Sequence, residues 1–288
     1  MKTALFADLH ANLQALDACI ADARAQGAER FIVAGDLVTD GPSPAETVER
    51  VRELTPHVIQ GNREDYIRRC HERLYPQGWY GCRQAAAIEW THGRLSAQQY
   101  GYLMQLPEQL SLTLEDGITL RVVHGSPFSA YELMKPRVDM APLRRAADAV
   151  TEQVLVYGHH HEQWSGIVNG MLLVNPGSLG MHFNPTHSAE YCLLWAEGGE
   201  VRIQHRLVPY DFDALMAELE TSGLAAAAPV WTALSFEGIR AGHCYCLDFL
   251  WEAEQICPTT QRIEGIVPDP VWDELGNWWL GRLSTNDV

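Results

Sequence analysis

Five short apolar runs within the first 161 residues each lead into a residue type that can bind a metal ion. Ala4-Leu5-Phe6-Ala7 runs into Asp8-Leu9-His10, and Phe31-Ile32-Val33-Ala34 into Gly35-Asp36. Val58-Ile59 precedes Gly61-Asn62, and Leu120-Arg121-Val122-Val123 precedes His124-Gly125. Val154-Leu155-Val156-Tyr157 ends in Gly158-His159-His160-His161. Imidazole nitrogens mixed with carboxylate and amide oxygens suit Mn, Fe, Zn or Ni better than Ca or Mg alone. Asp8 and His10, two apart on extended backbone, are expected to face one side and clasp one ion, and His159 and His161 have the same relation. Asp-x-His or Gly-Asn alone is commonplace. Five such endings in order, each directly after an apolar run, call for a shared site.

Short Val- and Ile-rich runs closed by Gly or Asp suit buried strands, whose carboxyl ends form the ligand crevice of an open α/β sheet. Between the first two runs, Leu13, Leu16, Ile20 and Ala23 fall at helical spacing, with Asn12 to cap the helix and Gly27 to end it. The result is a β-α-β unit. A second helix is predicted over 44–54, and several more over 64–110, where no strand is evident. Met171-Leu172-Leu173-Val174 reads as a further strand, and the runs 191–195 and 201–207 as an antiparallel edge. Residues 211–288 differ in texture. They hold five of the nine tryptophans (Trp231, Trp251, Trp272, Trp278 and Trp279) and read as a helical extension packed on a core of residues 1–210.

Composition narrows the function classes. The chain has 288 residues, 47% of them hydrophobic, and a formal net charge of −16. So negative a surface argues against general binding to nucleic acid or to anionic membranes, yet it admits a small phosphorylated substrate where bound cations reverse the sign. No apolar run approaches the roughly 18 residues of a membrane span. Residues 3–7 are too short an apolar stretch for a signal-peptide core, so a cytoplasmic location is expected. The seven cysteines are odd in number and scattered, which suits reduced, mostly buried thiols. His243, Cys244 and Cys246 lack a matching second pair of ligands, and packing is the expected role there.

The ordered endings resemble the calcineurin-like metallophosphoesterase superfamily, whose blocks run Asp-x-His, Gly-Asp-x-x-x-x-Gly, Gly-Asn-His-Asp/Glu, a His after a strand, and Gly-His-x-His. They stand here as Asp8-Leu9-His10, Gly35-Asp36 through Gly41, Gly61-Asn62-Arg63-Glu64, His124-Gly125 and Gly158-His159-His160-His161. The resemblance covers about residues 1–210. It implies an α/β fold, a four-layer αββα sandwich of two mixed sheets, and two transition-metal ions, Mn or Fe first, with Zn or Ni as alternatives. Asp8, His10, Asp36 and His161 would hold one ion, and Asp36, Asn62, His124 and His159 the other, with Asp36 bridging. A narrower similarity is to the bacterial branch of YfcE-type phosphodiesterases and asymmetric diadenosine tetraphosphate hydrolases. It rests on Gly41-Pro42, on Val174-Asn175-Pro176-Gly177-Ser178-Leu179-Gly180, on Val208-Pro209-Tyr210-Asp211, and on the segment 229–251.

The resemblance implies attack by metal-bound hydroxide on a phosphoanhydride or phosphodiester bond, in a dinucleoside polyphosphate or another nucleotide, with Asp36, Asn62, Arg63 and His124 at the reacting centre. Phosphomonoester hydrolysis, including action on phosphoserine or phosphothreonine proteins, is one alternative. A non-enzymatic metal-binding module is the other, and the full ligand set argues against it. One departure stands out: Arg63 replaces the family's His in the third block. It either binds phosphate oxygens through its fork of donors or points to solvent. Asp40 and Glu64 are expected to orient ligand imidazoles. His160 is expected to stand outside the ligand set, and His92, His182 and His187 to lie at the surface. The extension is expected to wall one side of the site; oligomeric state is left open.

Overall fold

The structure, a computed structural model, describes residues 1–114, 117–258, 262 and 265–285. Strand β1 (Lys2–Phe6) pairs in parallel with β2 (Ala28–Val33) across helix α1 (Leu13–Ala25). The Asn12 side chain accepts from Ala15 N at 3.0 Å and caps α1, whose buried face is Ala15, Leu16, Cys19, Ile20 and Ala23. Helix α2 spans Pro44–Leu54, its proline at the first turn, where the missing N–H costs nothing. Strand β8 (Ala189–Glu197) pairs antiparallel with β1, and β9 (Glu200–Val208) completes a sheet of order β2-β1-β8-β9.

The second sheet runs, in spatial order, β3 (Gln109–Thr113), β4 (Thr119–Val123), β5 (Val154–Val156), β7 (Met171–Asn175), β6 (Trp164–Val168). Its centre is parallel: β4, β5 and β7. Its edges, β3 and β6, are antiparallel. Side-chain alternation builds the layers. Leu5, Ala7 and Ile32 point between the sheets to meet Leu120, Val122, Val154, Val156 and Val174, while Ala4, Phe6 and Phe31 point outward onto α1. Helix α6 (Ala141–Ala149) covers the outer face of the second sheet through Leu143 and Ala146, against Val123, Leu155 and Leu173. Four layers result, as the resemblance implies.

Helices α3 (Asn62–His71), α4 (Ala86–Arg94) and α5 (Ala97–Gln105) fill the stretch expected to be helical. Three strand expectations change. Val58-Ile59 makes only one bridge, Val33 to Val58, because Pro56 and Gly61 bracket the run too closely for a full strand. Strand β3 begins at Gln109, inside the span expected to lack strands. Strand β6 was not expected at all: its Ser165-Gly166 centre carries little apolar signal, and Ile167 is exposed at the sheet edge.

Beyond Tyr210 the described residues form five helices and no strand: α7 (Phe212–Ser222), α8 (Leu224–Ala227), α9 (Pro229–Ala241), α10 (Tyr245–Ile256) and α11 (Asp269–Thr285). Helices α9 to α11 enclose Phe249, Trp272 and Trp279, whereas Trp251 and Trp278 are exposed. Leu215, Leu219, Phe236 and Ile239 pack on Ala87, Trp90 and Met181. Cutting the chain after Tyr210 would bare that second interface. At roughly 25 cal/mol per Å² the loss is several kcal/mol, so the truncated protein should melt about 10 °C lower or aggregate. An unchanged melting curve would show that the extension contributes nothing to the core. Among the described residues, no helix is long and apolar enough to cross a membrane.

Candidate metal centre

The loops that follow β1, β2, β4 and β5 meet at one end of the sandwich. Ligand atoms of Asp8, His10, Asp36 and His161 lie within 4.8 Å of one another, as do those of Asp36, His124 and His159. Asn62 Oδ1 is 2.9 Å from His124 Nε2 and joins the second group. Asp36 belongs to both. Its Oδ1 lies 3.3 Å from His124 Nε2, and its Oδ2 lies 3.7 Å from His10 Nε2. All seven residues read from the sequence as ligands are thus gathered, but not on extended backbone. Asp8, His10, Asp36, His159 and His161 have φ between +47° and +65°. The left-handed region is uncommon outside glycine, and five such residues in one place mark a site held against local preference.

The strain is held by close packing and borrowed hydrogen bonds. Gly35 has φ +87°, and a Cβ there would stand 2.6 Å from Gly61 N; a Cβ on Gly61 would stand 2.1 Å from Asp36 Oδ1. Glu64 does not orient an imidazole. Its carboxylate accepts from the backbone of Asp36 (3.0 Å), Leu37 (2.8 Å) and Gly61 (2.7 Å), pinning the Asp36 loop to the start of α3. Burial and the nearby Asp36 charge raise the Glu64 pKa to about 7. The 175–180 loop straps Asp8: Ser178 Oγ and Gly180 N both donate to its carbonyl at 2.9 Å.

The donor set fits cations. His161 Nδ1 is 2.8 Å from the Met181 carbonyl and His124 Nδ1 is 2.7 Å from that of Ala34, contacts that place a proton on each Nδ1 and turn Nε2 toward the cluster. His10 Nδ1 sits 3.0 Å from Asp40 Oδ2, as near as a hydrogen bond though not well aligned for one. His10 Nε2 and His161 Nε2 face each other at 3.2 Å, a contact that a proton on one of them or a shared cation makes favourable. The field has the same sense. Burial opposes protonation of His124, yet Asp36 and Asp8 pull its pKa up to about 9, so the pocket favours positive charge at that nitrogen. Burial opposes ionisation of Asp36, yet His124, His10 and Arg63 hold its pKa well below the usual carboxylate range. A divalent ion can take the proton's place, and imidazole with carboxylate suits Mn, Fe or Zn.

Arg63 does not point to solvent. Its Nη2 lies 3.1 Å from Asp40 Oδ2, its Nε 3.9 Å from Asp36 Oδ2, and its guanidinium faces the Tyr66 ring at 5.4 Å. Burial works against its charge, but the two carboxylates raise its pKa further above its ordinary value. His160 turns away from the ligand groups, its Nε2 3.8 Å from Glu162. His182 is buried rather than at the surface, with Nε2 3.0 Å from Tyr210 Oη; burial lowers its pKa to about 3. His187 is exposed, and His92 pairs with His71 at 3.0 Å. His243 pairs with Asp248 and Cys246 lies 3.3 Å from Ser235 Oγ, so these residues form no ligand group with Cys244. All seven cysteines are free, six of them buried.

The centre opens into a cleft of about 900 Å³ walled by Tyr66, Tyr75, Trp79, Tyr131, Phe183 and Trp231. Trp231, from α9, donates its indole N–H to Asp40 Oδ1 at 2.8 Å. That partner lies 191 residues from Asp40 in sequence, and no local signal announces it.

A family model, the calcineurin-like phosphoesterase superfamily domain, matches residues 1–199. An uncharacterised protein of Methanocaldococcus jannaschii is 29% identical over 230 residues, covering 72% of this chain and 87% of its own length. Two crystal structures share the fold. A metallophosphoesterase from Sphaerobacter thermophilus has a TM-score of 0.65 at 24% identity, covering 84% of this chain and 99% of that one. A hypothetical protein of Pyrococcus horikoshii has a TM-score of 0.65 at 20% identity, covering 80% and 97%. With two-thirds of its length matched by that family model, and two mixed sheets meeting at a cluster of His and Asp side chains, the chain is a hydrolase of the calcineurin-like phosphoesterase superfamily.

Proposed function

We propose that this chain cleaves a phosphodiester or phosphoanhydride bond in a small substrate with an aromatic part, such as a nucleotide or dinucleoside polyphosphate, with the aid of two transition-metal ions. The observation that carries the reading is Asp36, which turns one carboxylate oxygen toward each group of candidate ligands. Asp8, His10, Asp36 and His161 would hold one ion, and Asp36, Asn62, His124 and His159 the other. The chemistry a bound pair supplies is polarisation of the phosphoryl oxygens and a water acidic enough to act as nucleophile near neutral pH. The protein's own part is positional. Backbone carbonyls of Ala34 and Met181 aim His124 and His161 inward, and the Glu64 carboxylate fixes the Asp36 loop. Arg63, held against Asp40 and Asp36, supplies fixed positive charge beside the scissile group.

The cleft supports the choice of substrate. Its aromatic walls offer stacking faces for a base or another ring, and Tyr75 and Trp79 already stack at 4.7 Å. Lys135, also on the wall, suits a distal phosphate. Walls built of rings favour a substrate that stacks over a folded phosphoprotein. The test is a screen of chelated, Mn-reconstituted protein against dinucleoside polyphosphates, bis-p-nitrophenyl phosphate, p-nitrophenyl phosphate and phosphoserine peptides. Chelation should abolish turnover, manganese should restore it, and anhydrides or diesters should outrun both monoesters. Full activity of the metal-stripped protein, or a preference for the peptides, would overturn the reading.

A further inference from the structure

We propose that Trp231 is a positioning residue for the metal centre, acting from the C-terminal helices through Asp40 on His10. The inference rests on the reading of His10 as a ligand, and it is carried by how the contacts divide between the two oxygens of Asp40. Thr39 Oγ1 (3.1 Å), Arg63 Nη2 (3.1 Å) and His10 Nδ1 (3.0 Å) all meet Oδ2. Among the described residues, only the Trp231 indole meets Oδ1, at 2.8 Å.

Asp40 is 3% exposed, so an Oδ1 without a partner there is costly, and the carboxylate would turn to bring Oδ1 toward the donors that now meet Oδ2. Turning carries Oδ2 away from its 3.0 Å contact with His10 Nδ1 and frees the ring. An indole nitrogen only donates, so Trp231 cannot be satisfied the other way round. The tryptophan is itself half-buried. It packs against both helical clusters of the C-terminal segment, the one around Phe249 and Trp272 and the one around Phe236 and Ile239. Carboxylates that brace a ligand imidazole tune metal affinity, typically by about 10–100-fold. Here that brace depends on a helix outside the sandwich.

The test is titration of the full-length, metal-stripped protein with Co(II), followed by calorimetry and visible absorption, with a thermal melt of each variant. Trp231→Phe keeps the ring and removes the donor. It should weaken one of the two binding events about tenfold and leave the other unchanged. Trp231→Gln places an amide nitrogen the same three bonds beyond Cβ, so it should recover most of the affinity although the ring is gone. On an Asp40→Ala background, Trp231→Phe should add no further loss. Unchanged affinities in folded Trp231→Phe, equal losses in the Phe and Gln variants, or additive losses with Asp40→Ala would each reduce Trp231 to a packing contact. Should Trp231→Phe fail to fold, Trp231→Gln still decides, since a tenfold loss there overturns the inference. A native chain that binds no Co(II) would instead overturn the ligand reading of His10, and this inference with it.

Discussion

Asp36→Asn should leave a folded protein with little bound metal and kcat/KM lower by about a thousandfold or more. The side chain is 1% exposed, and its two oxygens face different histidines. Asparagine keeps the shape and can still accept from Arg63 N, which donates to Asp36 Oδ1 at 2.8 Å. It must then present an NH₂ group toward His10, where a ligand oxygen is needed. Because Asp36 stands in both ligand groups, one substitution should empty both. His161→Ala, by contrast, should weaken one site and leave the other. Metal-assisted charge stabilisation is worth several kcal/mol, at 1.36 kcal/mol per factor of ten, hence the size expected. Elemental analysis beside steady-state rates is the measurement. An asparagine variant that keeps close to two ions per chain, or native turnover, would remove Asp36 from its central place.

Strand positions, and the side chains that gather at the crevice, were legible because both are local signals. An apolar run such as Ala4-Leu5-Phe6-Ala7 marks a buried strand, and the polar residue after it falls at the crevice whatever the loop does. Loop conformation was not legible. Asp8-Leu9-His10 reads as extended from spacing alone, yet Asp8 and His10 adopt φ +55° and +47°, because tertiary contacts from Ser178 and Gly180 impose what the local sequence disfavours. Edge strands escaped for the opposite reason: Trp164–Val168 is half-exposed and carries a glycine, so its apolar alternation is diluted. The partners that brace the gathered side chains were legible only in part. Asp40 lies next to its loop and meets His10, whereas Glu64, equally near in sequence, caps backbone amides instead. Trp231 could be found only in the folded chain.

Arg63 should give this enzyme a steep preference for leaving groups that depart without a proton. The His of the family's third block is absent, and the guanidinium in its place is held charged by Asp40 and Asp36. A permanently charged Arg donates hydrogen bonds but transfers no proton near neutral pH. General acid assistance is typically worth about 10²–10⁴-fold. Nitrophenolate, nucleotide and pyrophosphate leaving groups need none of it; an alkoxide needs all of it. The expected result is therefore kcat/KM about 10²–10⁴-fold higher for nitrophenyl diesters and dinucleoside polyphosphates than for alkyl esters of similar size. Arg63→His should narrow that gap by raising alkyl cleavage. It should also weaken binding of polyanionic substrates, because a forked cation is lost and Asp40 loses one of the contacts on its Oδ2. The two effects separate in KM and kcat. Rates that depend little on leaving-group pKa, or phosphoserine peptides cleaved faster than dinucleoside polyphosphates, would show that a proton donor operates in the cleft and that Arg63 has not displaced it.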